Sequence, residues 1–174
     1  MRPFTSLIRD RRGVSAVEFA MLAPVLVAFY FGLSEFCQAY MAQKRMGHVA
    51  AIIADLVSQD DQINTAEMND IFGVSDTIMS PFPDTRLTQR ISSVTVNSSG
   101  QARVDWSRGS GVSARGTNST VTLPDDLVEN GESVIMAEVT YDYDSPVDYL
   151  MPGLTRFTQT YYLRPRRVDR ITFG

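Results

Sequence analysis

The chain has 174 residues, of which 44% are hydrophobic and 21% are charged, and its formal net charge at pH 7 is −4. This length accommodates one compact domain and one long additional element, and the composition excludes extensive disorder and a multi-pass membrane protein. The single cysteine excludes an intrachain disulfide and the single histidine argues against a zinc site, so we expect no cofactor and no metal.

Charge is distributed unevenly along the chain. The first thirteen residues contain four arginines and one aspartate, whereas 12 basic and 19 acidic residues follow them. An acidic body disfavours nucleic acid as a partner, because phosphate binding requires a basic surface. The C-terminal RPRRVDR segment is the exception, and we interpret its arginines as a solvated tail or local ion-pair partners, with an acidic partner as the alternative.

A long apolar segment begins directly after the basic start. Residues 19–34 contain no charged residue, and Glu18 and Glu35 bracket them. As a helix, residues 14–39 are long enough to span the roughly 30 Å hydrocarbon core of a membrane. Arginines before the segment outnumber the two basic residues that follow it, so the positive-inside rule places the N-terminus in the cytoplasm.

Three kinds of export signal compete for this segment. A cleaved signal peptide would have an unusually long apolar region, and a lipid anchor at Cys37 would follow the large Glu35-Phe36 pair. A twin-arginine signal could use Arg11 and Arg12, but Gly-Val-Ser follows them. None of these signals explains Glu18, since a carboxylate within hydrocarbon costs about 2.5 kcal/mol or more.

The RRGVSAVEFA string instead resembles the start of type IV prepilins. In that family a short basic leader ends in glycine, a membrane-embedded peptidase cuts after it, and the fifth mature residue is glutamate. By this resemblance Met1 to Gly13 form the leader, Val14 becomes the first mature residue, and Glu18 is the fifth. The resemblance therefore implies cleavage between Gly13 and Val14.

About the first fifty residues resemble, more specifically, the TadE-like pseudopilins of tight-adherence (Tad, or Flp) pilus systems. The features that carry this resemblance are the Ala-Val-Glu-Phe-Ala start, Pro24, and the closing Glu-Phe pair. It implies that Glu18, Phe19 and Pro24 act in subunit assembly. Major Flp pilins have Glu-Tyr where this chain has Glu-Phe, and they are little more than the helix, so a minor pseudopilin fits this longer chain better.

The resemblance also implies partners and a location. The expected partners are the prepilin peptidase, other pilins and minor pseudopilins of the Tad system, an inner-membrane assembly platform, and membrane lipid. The expected location is the bacterial inner membrane, with one membrane span and a periplasmic C-terminal domain. The domains expected are a leader at 1–13, a transmembrane and stalk helix at 14–58, and a periplasmic α+β domain at 59–174.

The helix is predicted to continue beyond the membrane, from about Ser15 to about Ser58. An apolar stripe with helical spacing marks its outer half, formed by Val49, Ile52, Ile53 and Leu56. Such a stripe offers a surface on which a sheet can pack. Pro24 lacks an amide hydrogen and is expected to kink the inner half.

A short helix and a sheet are predicted after the stalk. We expect Thr65 to cap the short helix and Gly73 to end it. Beyond the SPFPD segment the hydrophobic period changes to two, which predicts four antiparallel strands with a hairpin at NSSG. The strand residues are Val94, Val96, Ala102, Val104 and Trp106, then 135–143 and 157–163. The predicted fold class is α+β, with a long N-terminal helix packed against a small antiparallel sheet.

The remaining polar segments carry no strong signal. The Gly/Ser/Thr-rich loop at 109–120 is expected to be mobile. Asp142, Asp144 and Asp148 invite a calcium interpretation, but the segment lacks the glycine and glutamate of an EF-hand loop. Catalysis by a Ser-His-Asp or Cys-His arrangement would depend on His48, which lies on the stalk, so we expect no enzyme.

Two functions of different classes remain open. The first is the minor pseudopilin, which loses residues 1–13. The second is a permanently membrane-anchored binding protein, which keeps them and whose outer domain recognises a ligand or an envelope component.

Overall fold

The computed structural model describes residues 12–124, 127–145 and 153–174. The long helix α1 is followed by a short helix, a small antiparallel sheet and a two-stranded parallel pair, which confirms the α+β class. The elements are α1 (Arg12–Ser58), β1 (Gln62–Ile63), α2 (Thr65–Met79), a 3-10 turn (Asp84–Arg86), β2 (Leu87–Val96), β3 (Ala102–Ser110), β4 (Ser133–Asp144), β5 (Leu154–Leu163) and β6 (Thr172–Phe173).

The four predicted strands form one antiparallel sheet with the order β3-β2-β4-β5. The predicted NSSG hairpin joins β2 to β3, and the Asn97 side chain accepts hydrogen bonds there from the backbone amides of Ser99 (3.0 Å) and Gln101 (2.8 Å). Gly100 adopts a positive φ of 77°, a conformation that glycine adopts without steric cost. The hairpin prediction is confirmed.

One face of the sheet packs against the outer half of α1. The stripe that α1 buries has spacings of three and four residues, as one face of a helix requires: Ala39, Ala42, Met46, Val49, Ile53 and Val57. The predicted stripe is correct at Val49 and Ile53, whereas Ile52 and Leu56 are only half-buried at its margin. Ala39 and Ala42, at the end of the stripe nearer the N-terminus, have small side chains that let the helix approach the sheet closely.

Helix α2 differs from its prediction at both ends. Its N-cap is Asn64 rather than Thr65: the Asn64 side chain accepts from two first-turn amides at 2.8 and 3.0 Å, and Glu67 Oε2 accepts from the Asn64 amide at 2.9 Å. This reciprocal pair is a capping box. The helix continues through Gly73 to Met79, because burial of its apolar face outweighs the roughly 1 kcal/mol that a helical glycine costs.

The C-terminal segment closes the domain. Strand β6 pairs in parallel with β1, an arrangement that the sequence did not predict, and Trp106 Nε1 donates to the Ile171 carbonyl at 2.8 Å. Three of its arginines form ion pairs with acidic residues in three different parts of the domain. These pairs are Arg164 with Glu132, Arg166 with Asp55, and Arg170 with Asp105. Local ion pairing is therefore the interpretation of these arginines that the structure confirms.

Candidate functional site

The apolar side chains in the first half of α1 are exposed rather than packed into the domain. The large ones with more than half of their surface exposed are Val14, Val17, Phe19, Met21, Leu22, Val25, Leu26, Val27, Phe29, Tyr30 and Leu33. The helix is long and apolar enough to cross a membrane, and none of its most apolar 18-residue window is buried within the protein. An apolar surface of this size requires lipid or other helices to cover it.

The predicted cleavage and assembly residues lie at the start of this bare segment. The Gly13–Val14 bond lies in the first turn of α1, which begins at Arg12. Glu18 follows Val14 by four residues, so the two lie on the same helix face, one turn apart. Glu18 is exposed, and within the described ranges it forms no hydrogen bond or ion pair. Phe19 is 69% exposed beside it.

Pro24 lies inside the helix, which continues on both sides of it. Because proline has no amide hydrogen, the carbonyl of Ala20 lacks its usual helical donor. Pro24 and Ala20 are both exposed, so this carbonyl lies on the bare part of the helix. In a membrane such a break is tolerated where a neighbouring helix covers it.

The second glutamate of the apolar segment has a different environment. Glu35 is fully buried, where α1 first meets the sheet. Tyr143 near the end of β4 is 2% exposed, and burial raises the pKa of its hydroxyl, with the nearby charge of Glu35 raising it further. Glu18 and Glu35 both border the apolar run in the sequence, but of the two only Glu18 is exposed.

Glu18 and Glu35 lie near the two ends of the exposed part of α1. They are seventeen residues apart, or roughly 25 Å along a helix axis. This length is close to the hydrocarbon thickness of a bilayer. The part of α1 between the two glutamates therefore has about the length that a membrane span requires.

Two of the three aspartates that suggested a calcium site form ion pairs with arginines. Asp142 accepts from Arg156 at 2.7 and 2.9 Å, and Asp144 pairs with Arg86 at 2.7 Å. The hydrogen bonds from Arg156 lower the pKa of Asp142. Asp148 lies outside the described residues. An arginine already supplies the positive charge that a cation would bring to each of the two described carboxylates.

The described ranges hold no cluster of three or more histidine, cysteine or acidic residues with the geometry of a metal site. His48 is exposed on α1, as expected for a surface or interface residue. Cys37 is also exposed, next to the apolar segment. The feature that distinguishes the molecule is therefore the bare helix with its single exposed carboxylate.

The fold and this helix together define a class of protein: an α+β domain carried on one long apolar helix that has the length and composition of a membrane anchor. Residues 13–55 match the family described as TadE-like protein, which confirms the resemblance found in the sequence. The match begins at Gly13 and covers α1 almost to its end, whereas the sheet lies outside it. No curated protein and no solved structure matches this chain.

Proposed function

We propose that this chain is a minor pseudopilin that acts in assembly or initiation of a Tad/Flp pilus for adherence. One observation carries the proposal: the TadE-like match at residues 13–55 coincides with α1. The first half of this helix exposes apolar side chains, and its second half packs against the sheet. The subunit is held in the bacterial inner membrane with its N-terminus in the cytoplasm and its sheet domain in the periplasm. Its role is structural rather than enzymatic.

The proposed maturation step is cleavage by prepilin peptidase between Gly13 and Val14. The first four amide groups of a helix have no intrahelical acceptor, so a bond in the first turn is readily released from helical geometry. Glycine leaves the backbone open to close approach, because it has no Cβ. Both properties favour access of a peptidase to this bond.

Glu18 is the proposed docking group between subunits. Cleavage gives Val14 a free α-amino group, which is largely protonated at neutral pH. When subunits stack with an axial offset, the amino group of an incoming subunit can meet Glu18 of its neighbour inside the helix bundle. The low dielectric of that environment strengthens the pair. The pair would set the register of one subunit against the next.

Phe19 and Pro24 extend the proposed assembly face. Phe19 offers an exposed ring for packing against another helix, and the Ala20 carbonyl released by Pro24 is covered once that helix is present. The proposed partners are other pilins and minor pseudopilins of the Tad system and the inner-membrane assembly platform. Lipid covers the same surface before assembly.

The cleavage is tested by the intact mass of the protein isolated from its native membrane. The Gly13→Leu variant is expected to retain residues 1–13, because a branched side chain blocks approach to the bond. Gly47→Leu is the matched control, since nothing lies within 4 Å of a Cβ placed at Gly47. If the Gly13→Leu protein has the mass of processed wild type, the cleavage site is wrong. An uncut wild-type chain would favour the permanently anchored binding protein.

The docking role is tested by Glu18→Ala. This variant is expected to be cut and inserted normally, yet to lose co-purification with its pilin partners and to abolish pili. Glu18→Asp, which keeps the charge on a shorter side chain, should be intermediate. Ser15→Ala is the control for an exposed polar residue one turn away. Normal pili in Glu18→Ala cells would remove the assembly role of this carboxylate.

A further inference from the structure

A cleft of about 330 Å³ opens between α2 and the adjoining parts of β2 and β3, in the sheet domain and away from the bare helix. Two carboxylates line it, Asp76 from α2 and Asp84 from the 3-10 turn, together with the polar side chains of Asn69, Ser75 and Gln89. No basic residue is among the lining residues. The cleft therefore has a negative charge that nothing in its wall balances.

The amide of Gln89 adds a buried acceptor to this wall. Gln89 is only 4% exposed, and its Nε2 donates to Ser75 Oγ at 2.8 Å and to the Phe72 carbonyl at 3.3 Å. These two bonds determine which end of the amide is the donor. The remaining atom, Oε1, is buried and has no hydrogen-bond partner among the described residues. A buried carbonyl without a donor is unfavourable, so a donor placed in the cleft would gain free energy.

The two carboxylates are also available. The sheet domain pairs other carboxylates with arginines, as at Glu138, Asp142 and Asp144. Within the described part of the chain, neither Asp76 nor Asp84 forms such an ion pair. Asp76 Oδ1 accepts one long hydrogen bond, from Ser75 Oγ at 3.4 Å, which leaves its carboxylate with further capacity to accept. Gln89 Oε1 and the two carboxylates are therefore complementary to a group that carries several donors and a positive charge.

Gly73 leaves room for a ligand at the helix side of the cleft. It lies in the interior of α2, where alanine would be more stable, and nothing lies within 4 Å of a Cβ placed there. A Cβ at this position would therefore meet no neighbouring atom, and a larger side chain there would add volume to the lining of the cleft. The glycine therefore keeps the cleft open at a cost in helix stability.

We propose that this cleft binds the guanidinium group of an arginine side chain presented by a partner protein. A guanidinium has five donors in a planar fork and no acceptor, which matches a cleft wall whose acceptors are Gln89 Oε1 and the carboxylates of Asp76 and Asp84. An ammonium group concentrates its donors at one point and cannot serve acceptors on several sides equally well. This contact goes beyond the assembly role of α1, because it lies on the sheet domain.

The test uses the full chain in detergent micelles, with N-acetyl-arginine amide as the probe. Binding is followed by NMR through the side-chain amide signals of Gln89. Saturable shifts are expected with the arginine probe, and none with N-acetyl-citrulline amide, which has a similar shape and no charge. N-acetyl-lysine amide should bind at least roughly threefold more weakly. Equal binding of all three probes, or no arginine binding, would overturn the proposal.

Variants separate the cleft from general electrostatic attraction. The Asp76→Asn/Asp84→Asn pair and the Gly73→Leu variant, which fills the cleft without changing charge, should each weaken arginine binding roughly tenfold or more. Asp70→Asn is the matched control, an exposed carboxylate on the same helix outside the cleft, and should leave the affinity nearly unchanged. Unchanged circular dichroism shows that each variant is folded. If Asp70→Asn weakens binding as much as the cleft variants, the binding is nonspecific and the proposal fails.

Discussion

Glu138 lies in β4 on the sheet face opposite α1, between two arginines. Arg90 donates to its carboxylate at 2.8 and 2.9 Å, and Arg115 at 2.7 and 3.0 Å. Burial alone would raise the pKa of Glu138, but the hydrogen bonds from both arginines lower it to about 2. Arg115 belongs to the loop that was expected to be mobile, and its amide also donates to Ser107 Oγ at 3.1 Å. The ion pair between Arg115 and Glu138 thus holds the 109–120 loop against the sheet.

The depressed pKa of Glu138 makes stability depend on pH. Since the folded pKa of about 2 lies below the ordinary value of 4.5, this stabilisation is fully present above about pH 5 and is lost as the pH falls toward 2. The free energy of unfolding should decrease by about 3 kcal/mol across that window through this group. Urea unfolding of the full chain in detergent at several pH values measures the decrease.

Glu138→Gln should remove most of this pH dependence, because it removes the titrating group. Glu132→Gln is the control: Glu132 pairs with Arg164 at the surface, where the side chains are 39% and 56% exposed, and such pairs contribute little. If wild type and Glu138→Gln lose stability equally between pH 5 and 2, the role assigned to the two arginines is wrong.

At the scale of elements, the sheet is covered on both faces. Helices α1 and α2 cover one face. Residues 111–124 and 127–132 cover part of the other, over a smaller buried cluster that includes Val94, Val104 and Met136. Two glycines on these elements have opposite environments. Gly73 in α2 borders open space, whereas a Cβ at Gly109 in β3 would lie 2.1 Å from the carbonyl oxygen of Val112.

These environments predict opposite effects of the same substitution. Gly73→Ala should stabilise the chain by about 0.5–1 kcal/mol, because alanine loses less backbone entropy in a helix and meets no atom. Gly109→Ala should destabilise it by about 1–3 kcal/mol, because the backbone must move to relieve the overlap. Thermal denaturation of both variants beside wild type measures the two shifts. A stabilised Gly109→Ala would contradict the close approach of the loop to β3.

At the scale of the whole molecule, α1 has two parts. Its side chains are mostly exposed before Glu35, and from there on one face of the helix is buried against the sheet. The buried hydrophobic residues that α1 contributes to the main core begin at Ala39 and end at Val57. The ion pair of Arg166 with Asp55 and the hydrogen bond from the Arg166 amide to the Ser58 carbonyl (2.9 Å) hold the far end of the helix. The outer half of α1 is thus an integral part of the folded domain.

A chain that begins at Ala39 should therefore be soluble and folded, with a mixed α and β circular dichroism spectrum and a cooperative melt. Trp106, which is 7% exposed, should give blue-shifted fluorescence. A chain that begins at Ala54 is the control and should not fold, because it lacks Met46, Val49 and Ile53, each worth about 1.5–3 kcal/mol when buried. A featureless spectrum from the longer chain would show that the domain needs the membrane segment.

The sequence by itself determined the features that depend on local periodicity. An unbroken apolar run specifies a membrane-length helix, and alternation of apolar residues specifies the strands, because each pattern places one face of an element against apolar surroundings. Gly13, Val14 and Glu18 stay predictions, which rest on the resemblance of the RRGVSAVEFA string to type IV prepilins. The N-cap at Asn64 and the passage of α2 through Gly73 were missed, because neighbouring polar residues compete for the cap and tertiary burial overrides helix propensity.

Only the tertiary structure decided which distant residues meet. Glu138 is 48 residues from Arg90, and Gln89 is 14 residues from Ser75, so no spacing rule relates the members of either cluster. Packing of the sheet buries Glu35 and leaves Glu18 exposed, a difference that the apolar run between them does not predict. The physical reason is that strand order and the closure by the C-terminal segment depend on long-range burial and ion pairing, which sequence periodicity does not specify.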